Sequence, residues 1–218
     1  MRVVLLGATG LVGGHLLQQL LALPACTAIT AVTRRPLQQQ HPKLSNLVIN
    51  FDQMEQHAAK FSGDVLFSAL GTTIAKAGSQ EVFQKIDATY QITAAKLARA
   101  QGVTTHGLVS ALGADASSSI FYNRVKGATE QAIIDMQFPN QLIVRPSIIL
   151  GERQESRPGE AVGQWVASNL SFLFSGPLKK YRGVPAEIIA AALIAAVQNQ
   201  YKGLHIVEND QLWAVAKG

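Results

Sequence analysis

Tyr122 and Lys126 stand four residues apart in a stretch, 119–136, whose apolar spacing predicts a helix, so their side chains share one face. An ammonium beside a phenol favours the phenolate, which lets a tyrosine exchange a proton with a substrate oxygen near neutral pH. Ser110 closes an apolar run, 105–110, that reads as a strand, and a hydroxyl there can hydrogen-bond the same oxygen. A tyrosine and lysine at this spacing are weak evidence alone. Ser110 adds context, because it falls at the C-terminal mouth of a strand, where ligands bind in open α/β sheets.

The elements that must position these groups begin at the N-terminus. Residues 2–6 form an aliphatic and β-branched run that stops at Gly7-Ala8-Thr9-Gly10-Leu11-Val12-Gly13, after which Leu16, Leu17, Leu20 and Leu21 have helical spacing. This is strand, tight turn, helix. Such a turn brings unpaired helix N–H groups, with their partial positive charge, against a diphosphate. Gly7 makes the turn, Gly10 lets phosphate approach, and Gly13 lets the helix pack closely on the strand, so Gly7, Thr9, Gly10, Leu11, Val12 and Gly13 are the expected diphosphate site.

A dinucleotide bound there would lay its adenosine ribose at the end of the second strand, 28–33. An NAD site would carry a carboxylate at that place, whereas this chain has Arg34 and Arg35 and no acid before Asp52. A guanidinium fork matches the oxygens of a 2′-phosphate, so NADP (as NADPH) is the expected cofactor, with Arg34 the main clamp and Arg35 secondary. Asp52 is placed to accept from the adenine amino group or to serve as a solvated turn residue. Ser68-Ala69-Leu70-Gly71-Thr72-Thr73 ends the fourth strand in small residues that suit a backbone lying against the cofactor.

Strands at 47–50, 64–68, 141–145 and 204–207 alternate with helices at 81–101 and 186–199, and Gly102 suits a C-terminal cap. The pattern predicts an α/β Rossmann-type, doubly wound parallel sheet with helices on both faces. One domain spans 1–218, with 151–218 a substrate-side elaboration rather than an independent unit. Within it, 151–160 reads as a solvated charged loop, 165–174 as an apolar helix, and 176–185, with Lys179, Lys180 and Arg182, as a basic hairpin.

A net charge of +5 arises without any run of basic and aromatic residues, so neither nucleic acid nor membrane is an expected partner. The single cysteine, Cys26, excludes an internal disulfide and cysteine-pair redox or metal chemistry, and the five histidines have no clustered acids, so no metal is expected. The N-terminal apolar stretch mimics a secretory signal but is broken by four glycines and His15, and the longest later apolar run is too short to span a bilayer. The expectation is a soluble cytoplasmic protein. A homodimer through the Tyr122 helix stays open, since the exposed face of that helix is not distinctively apolar.

The glycine turn, Ser110 twelve residues before Tyr122, and Tyr122-x-x-x-Lys126 resemble the short-chain dehydrogenase/reductase superfamily. The closer resemblance is to its atypical branch, related to the Tat-interacting tumour-suppressor oxidoreductases and their bacterial homologues. It is carried by residues 70–73 (LGTT), 76–79 (KAGS), 110–115 (SALGAD), 121–127 (FYNRVKG), 145–147 (RPS) and 151–153 (GER). The resemblance implies Tyr122 as acid/base, Lys126 on the nicotinamide ribose and against Tyr122, Ser110 orienting a small-molecule substrate, and Pro146 and Ser147 near the nicotinamide. Two positions depart from the pattern. Ala111 stands where the branch often has a second serine, and Asp87 stands near an asparagine common in the superfamily. The resemblance therefore carries no proton relay onto Asp87, which reads as a helix-surface acid. The function implied is NADP-dependent hydride transfer with a small carbonyl or alcohol; the alternative is an NADP(H)-sensing binding protein with little turnover.

Overall fold

The computed structural model describes residues 1–151 and 180–218. Seven strands, β1 (Arg2–Leu6), β2 (Ala28–Thr33), β3 (Leu44–Val48), β4 (Val65–Ser68), β5 (Thr105–Val109), β6 (Asn140–Arg145) and β9 (Gly203–Glu208), form one all-parallel sheet. Their order is β3-β2-β1-β4-β5-β6-β9. Two short strands, β7 (Ile149–Leu150) and β8 (Val184–Pro185), pair in parallel beyond the end of β6. The fold is the Rossmann type.

Alternation along β1 explains the two layers. Val3 and Leu5 belong to the core shared with α1 (Leu11–Ala22), whereas Val4 and Leu6 face the opposite core. Between β4 and β5 run α2 (Ile74–Ala77), α3 (Gln80–Gln84), a π turn (Lys85–Thr89) and α4 (Tyr90–Ala100), and α5 (Phe121–Ile134) follows β5. Ala94, Ala98 and Ile133 from α4 and α5 pack on Val4, Leu6 and Leu108. On the other face α6 (Ala186–Gln198), rich in alanine, sets Ile189, Ala190 and Leu193 against Leu16 and Leu20 of α1. A last short helix, α7 (Leu212–Val215), follows β9.

The structure moves three boundaries with physical reasons. β3 starts at Leu44 rather than 47, because an edge strand leaves Ser45 exposed and Asn46 half-buried and so lacks an apolar run. Residues Phe51–Phe61 form a kinked 3-10 segment, broken at Gln53 and His57, that the apolar pattern does not show, pinned by buried Phe51, Met54 and Phe61. The single helix expected at 81–101 is interrupted by the π turn, with consequences for Asp87 described below. The expected charged loop beyond Gly151, the helix at 165–174 and Lys179 lie outside the described residues. Lys180 and Arg182 sit over the rings of Tyr181 and Trp213 at 5.1 and 5.5 Å. Among the described residues, no helix is long and apolar enough to cross a membrane.

Candidate active site

The strand order reverses between β1 and β4, and the crevice at their C-terminal ends is lined by the glycine turn and by residues 69–71. Gly7 has φ +85°, and a Cβ there would lie 2.4 Å from the carbonyl oxygen of Ala69; at Gly13 it would lie 2.0 Å from that of Gly7. Only hydrogen fits at either place. The Gly10 N–H donates to the Gly7 carbonyl at 2.8 Å, and Gly10 starts α1 with no side-chain cap and no acid in the first turn. Thr9 and Gly10 are exposed, Leu11 is half-buried and Val12 is buried. A helix start without a side-chain cap, reached through a turn in which Gly7 and Gly13 leave room only for hydrogen, fits a dinucleotide diphosphate.

At the far side of the crevice, a Cβ on Gly71 would come within 3.3 Å of Asp87 Oδ1 and 3.8 Å of Lys126 Nζ. Asp87 is fully buried. Its carboxylate meets Lys126 Nζ at 2.6 Å and accepts from the Thr72 backbone N–H at 2.8 Å. The π turn supports this placement: the Asp87 carbonyl accepts from the Gln91 amide at 2.8 Å and the Thr129 hydroxyl at 3.2 Å. Burial alone would push the Lys126 ammonium down; Asp87, then Tyr122 and Glu130, outweigh it and hold Lys126 above the usual lysine range. The reading of Asp87 as a helix-surface acid is therefore corrected. Uniform helical periodicity could not show it, because the π turn shifts the face on which residue 87 falls; the one available signal was its place near the superfamily's asparagine.

Ser110 continues from β5, its N–H donating to the Val144 carbonyl at 2.8 Å. Its hydroxyl is buried and has no partner among the described residues. Tyr122, half-buried in the first turn of α5, packs its ring on buried Phe83 with centroids 5.4 Å apart. The loop from Ser110 to α5 lies flat against the helix at Gly127, where a Cβ would fall 2.2 Å from the Ala116 nitrogen. Gly127 thus lets the serine loop dock beside Lys126. The motif containing it was legible, but this packing role was not.

Arg34 and Arg35 follow β2 at the surface, and neither guanidinium has a partner among the described residues. Their turn is held from β3: Asn46 Nδ2 donates to the Ala31 carbonyl (3.0 Å) and Thr33 Oγ1 (2.8 Å), Asn46 Oδ1 accepts from the Leu37 N–H (2.7 Å), and the Thr33 hydroxyl donates to the Arg35 carbonyl (2.7 Å). Asp52 Oδ1 is shared by Lys85 Nζ (2.7 Å) and the Tyr90 hydroxyl (2.8 Å), which ties the 3-10 segment to the helices after β4. Pro146 is buried at the end of β6, its carbonyl accepting from the Leu112 N–H at 2.9 Å. The Ser147 hydroxyl donates to the Arg182 carbonyl (2.6 Å) and its N–H to Asn209 Oδ1 (2.9 Å). Buried Asn209, absent from the sequence-level site, also donates to the Arg182 carbonyl at 2.8 Å and fastens the C-terminal part of the chain to this edge.

A family model described as NAD(P)H-binding matches residues 7–155. The chain belongs to this family. It is an atypical short-chain dehydrogenase/reductase of the HTATIP2 type. Rat Protein HTATIP2 is 32% identical over 99% of this chain and 89% of its own length. The fungal Protein fmp52, mitochondrial, from Emericella nidulans is 34% identical over 97% of this chain and 93% of its own length. Among solved structures, Thermotoga maritima UDP-glucose 4-epimerase with UDP-glucose superposes with a TM-score of 0.71 at 14% identity, over all of this chain and 82% of its own. MoeE5 in complex with UDP-glucose and NAD gives a TM-score of 0.71 at 13% identity, over 95% of this chain and 76% of its own. At such identities these two share the fold.

One expectation is overturned. The cytoplasmic assignment fails against the fungal relatives from Emericella nidulans, Aspergillus niger and Scheffersomyces stipitis, whose names place them in mitochondria. A single cysteine excludes an internal disulfide in any compartment, so it does not single out the cytosol.

Proposed function

We propose that this NAD(P)-binding, oxidoreductase-like protein is an NADP-dependent oxidoreductase acting on a small carbonyl or alcohol. The observation that carries the reading is the Ser110 hydroxyl, buried and without a partner among the described residues, at the sheet mouth on the loop that docks beside Lys126. A buried hydroxyl without a partner costs about 1–3 kcal/mol, which a substrate oxygen would relieve. Tyr122 exchanges a proton with that oxygen, Ser110 donates to it, and Lys126 holds charge beside Tyr122 and reaches toward the nicotinamide ribose. When bound, the nicotinamide supplies or takes up the hydride. Gly7, Thr9, Gly10, Leu11, Val12 and Gly13 hold the diphosphate, residues 69–71 and Pro146–Ser147 line the dinucleotide, and Arg34 with Arg35 select the 2′-phosphate. Neither arginine has a partner among the described residues, which supports NADP over NAD.

The test is a parallel fluorescence titration with NADPH and NADH, followed by turnover of a carbonyl panel by wild type and Tyr122→Phe. Tight NADPH binding, weak NADH binding and loss of turnover in the variant by about 100-fold or more support the proposal. Binding of NADPH with no turnover by wild type would leave a cofactor-sensing protein instead.

A further inference from the structure

Lys126 is 5% exposed and Asp87 is not exposed at all, yet they form an ion pair of 2.6 Å on the wall of the crevice. Asp87 comes from the π turn and Lys126 from α5, and the Thr72 N–H seals the second carboxylate oxygen. We propose that Asp87 is a positioning residue: its carboxylate is the fixed counterion that keeps Lys126 charged and aimed at Gly71 before any ligand arrives. The proposal rests on the oxidoreductase reading for its purpose but not for its test.

The argument turns on what an amide would leave behind. With asparagine at 87, the Thr72 N–H would still find an acceptor, but the buried ammonium would lose its counterion and, with it, most of the reason to stay protonated. The other charged or titratable groups facing Lys126 are Tyr122 and Glu130, both on its own helix. Glu130 is already engaged by Arg145 at 2.6 Å, and Tyr122 carries charge only after giving up its proton. No other element offers a replacement among the described residues. Asp87 therefore decides whether a cation stands beside Tyr122 in the free protein. A site built with a neutral amide would leave that to the bound cofactor.

The experiment is NMR of the ligand-free full chain labelled with 13Cε-lysine, the Lys126 signal assigned by its absence in Lys126→Met. In wild type, Lys126 should keep its proton to higher pH than the surface lysines of the same chain, above the ordinary lysine midpoint of about 10.4. In Asp87→Asn its midpoint should fall by at least about one pH unit, below the surface lysines. Equal midpoints in the two proteins would overturn the proposal. Should Asp87→Asn fail to fold, the wild-type titration decides alone: a Lys126 that loses its proton with or before the surface lysines sinks the idea. Absence of turnover or of NADPH binding would count against the oxidoreductase reading and leave this titration unchanged.

Discussion

Arg145 on β6 forks onto the Glu130 carboxylate of α5, Nε to Oε1 at 3.0 Å and Nη2 to Oε2 at 2.6 Å, while its Nη1 reaches Glu208 of β9 at 3.0 Å. Glu130 is only 3% exposed, so the pair acts in a weakly screened place. One guanidinium thus locks the helix that bears Tyr122 and Lys126 to two neighbouring strands. Glu130→Ala should lower stability by about 3 kcal/mol, because it leaves Arg145 part-buried with only Glu208. Urea denaturation measures it; a loss under about 1 kcal/mol would show that the fork does not hold α5.

Gly13 and Gly14 are adjacent but stand in opposite circumstances. A Cβ at 13 would sit 2.0 Å from the Gly7 carbonyl oxygen, whereas at 14 the nearest atom is 3.8 Å away. Gly13→Ala should therefore weaken NADPH binding at least tenfold or prevent folding, by forcing α1 off the turn. Gly14→Ala should bind normally and raise stability by up to about 1 kcal/mol through helix propensity. Calorimetric titration and thermal melts of the two variants compare them directly, and equal behaviour would refute the packing account.

Asn46 holds the turn that carries Arg34 and Arg35 through three hydrogen bonds from the neighbouring strand. On the proposed NADP reading, Asn46→Ala should reduce a preference for NADPH over NADH about tenfold, the scale of one or two lost polar contacts, while leaving NADH affinity near its wild-type value. Parallel loss of both cofactors would mean that Asn46 supports the whole edge of the sheet and not the arginine turn.

His106 is wholly buried against Phe138, and burial pushes its imidazole down to about 3. An unfolded chain takes up that proton near pH 6.5, so the unfolded state binds more protons throughout the interval between the two values. Stability contributed by the neutral ring is complete above about pH 6.5 and is lost as the pH falls toward 3; at pH 5 the loss is about 2 kcal/mol. His106→Leu should flatten the stability curve between pH 7 and 5 by that amount. Urea midpoints measured across this range test it, and an unchanged slope would place the acid sensitivity elsewhere.

Legibility in the sequence followed burial. β1, β2, β4, β5 and β6 are largely covered on both faces, so their mostly apolar runs announce them, and the alternation of strand and helix announces a parallel sheet. The start of β3 escapes because its outer edge tolerates Ser45 and Asn46, and Asn46 hides its purpose in contacts with residues 31, 33 and 37. Asp87 was misjudged because an extra residue in the helical turn rotates the face, an event that leaves no trace in a 3.6-residue count. Ser110, Tyr122 and Lys126 were visible as types and spacings. Asn209, nearly a hundred residues past Ser110 in the chain, could be joined to Ser147 only by the pairing of β9 with β6.

The packing of α1 against α6 also bears on how the chain is made. The apolar face of residues 11–22 waits for residues 186–198, and β6 waits for β9 to take its outer edge. During synthesis the first helix leaves the ribosome long before residues 186–198 exist, so the core that holds Leu16, Leu17 and Leu20 closes only near the end of translation. A stop codon close to the end would therefore cost the chain part of the interior of its beginning.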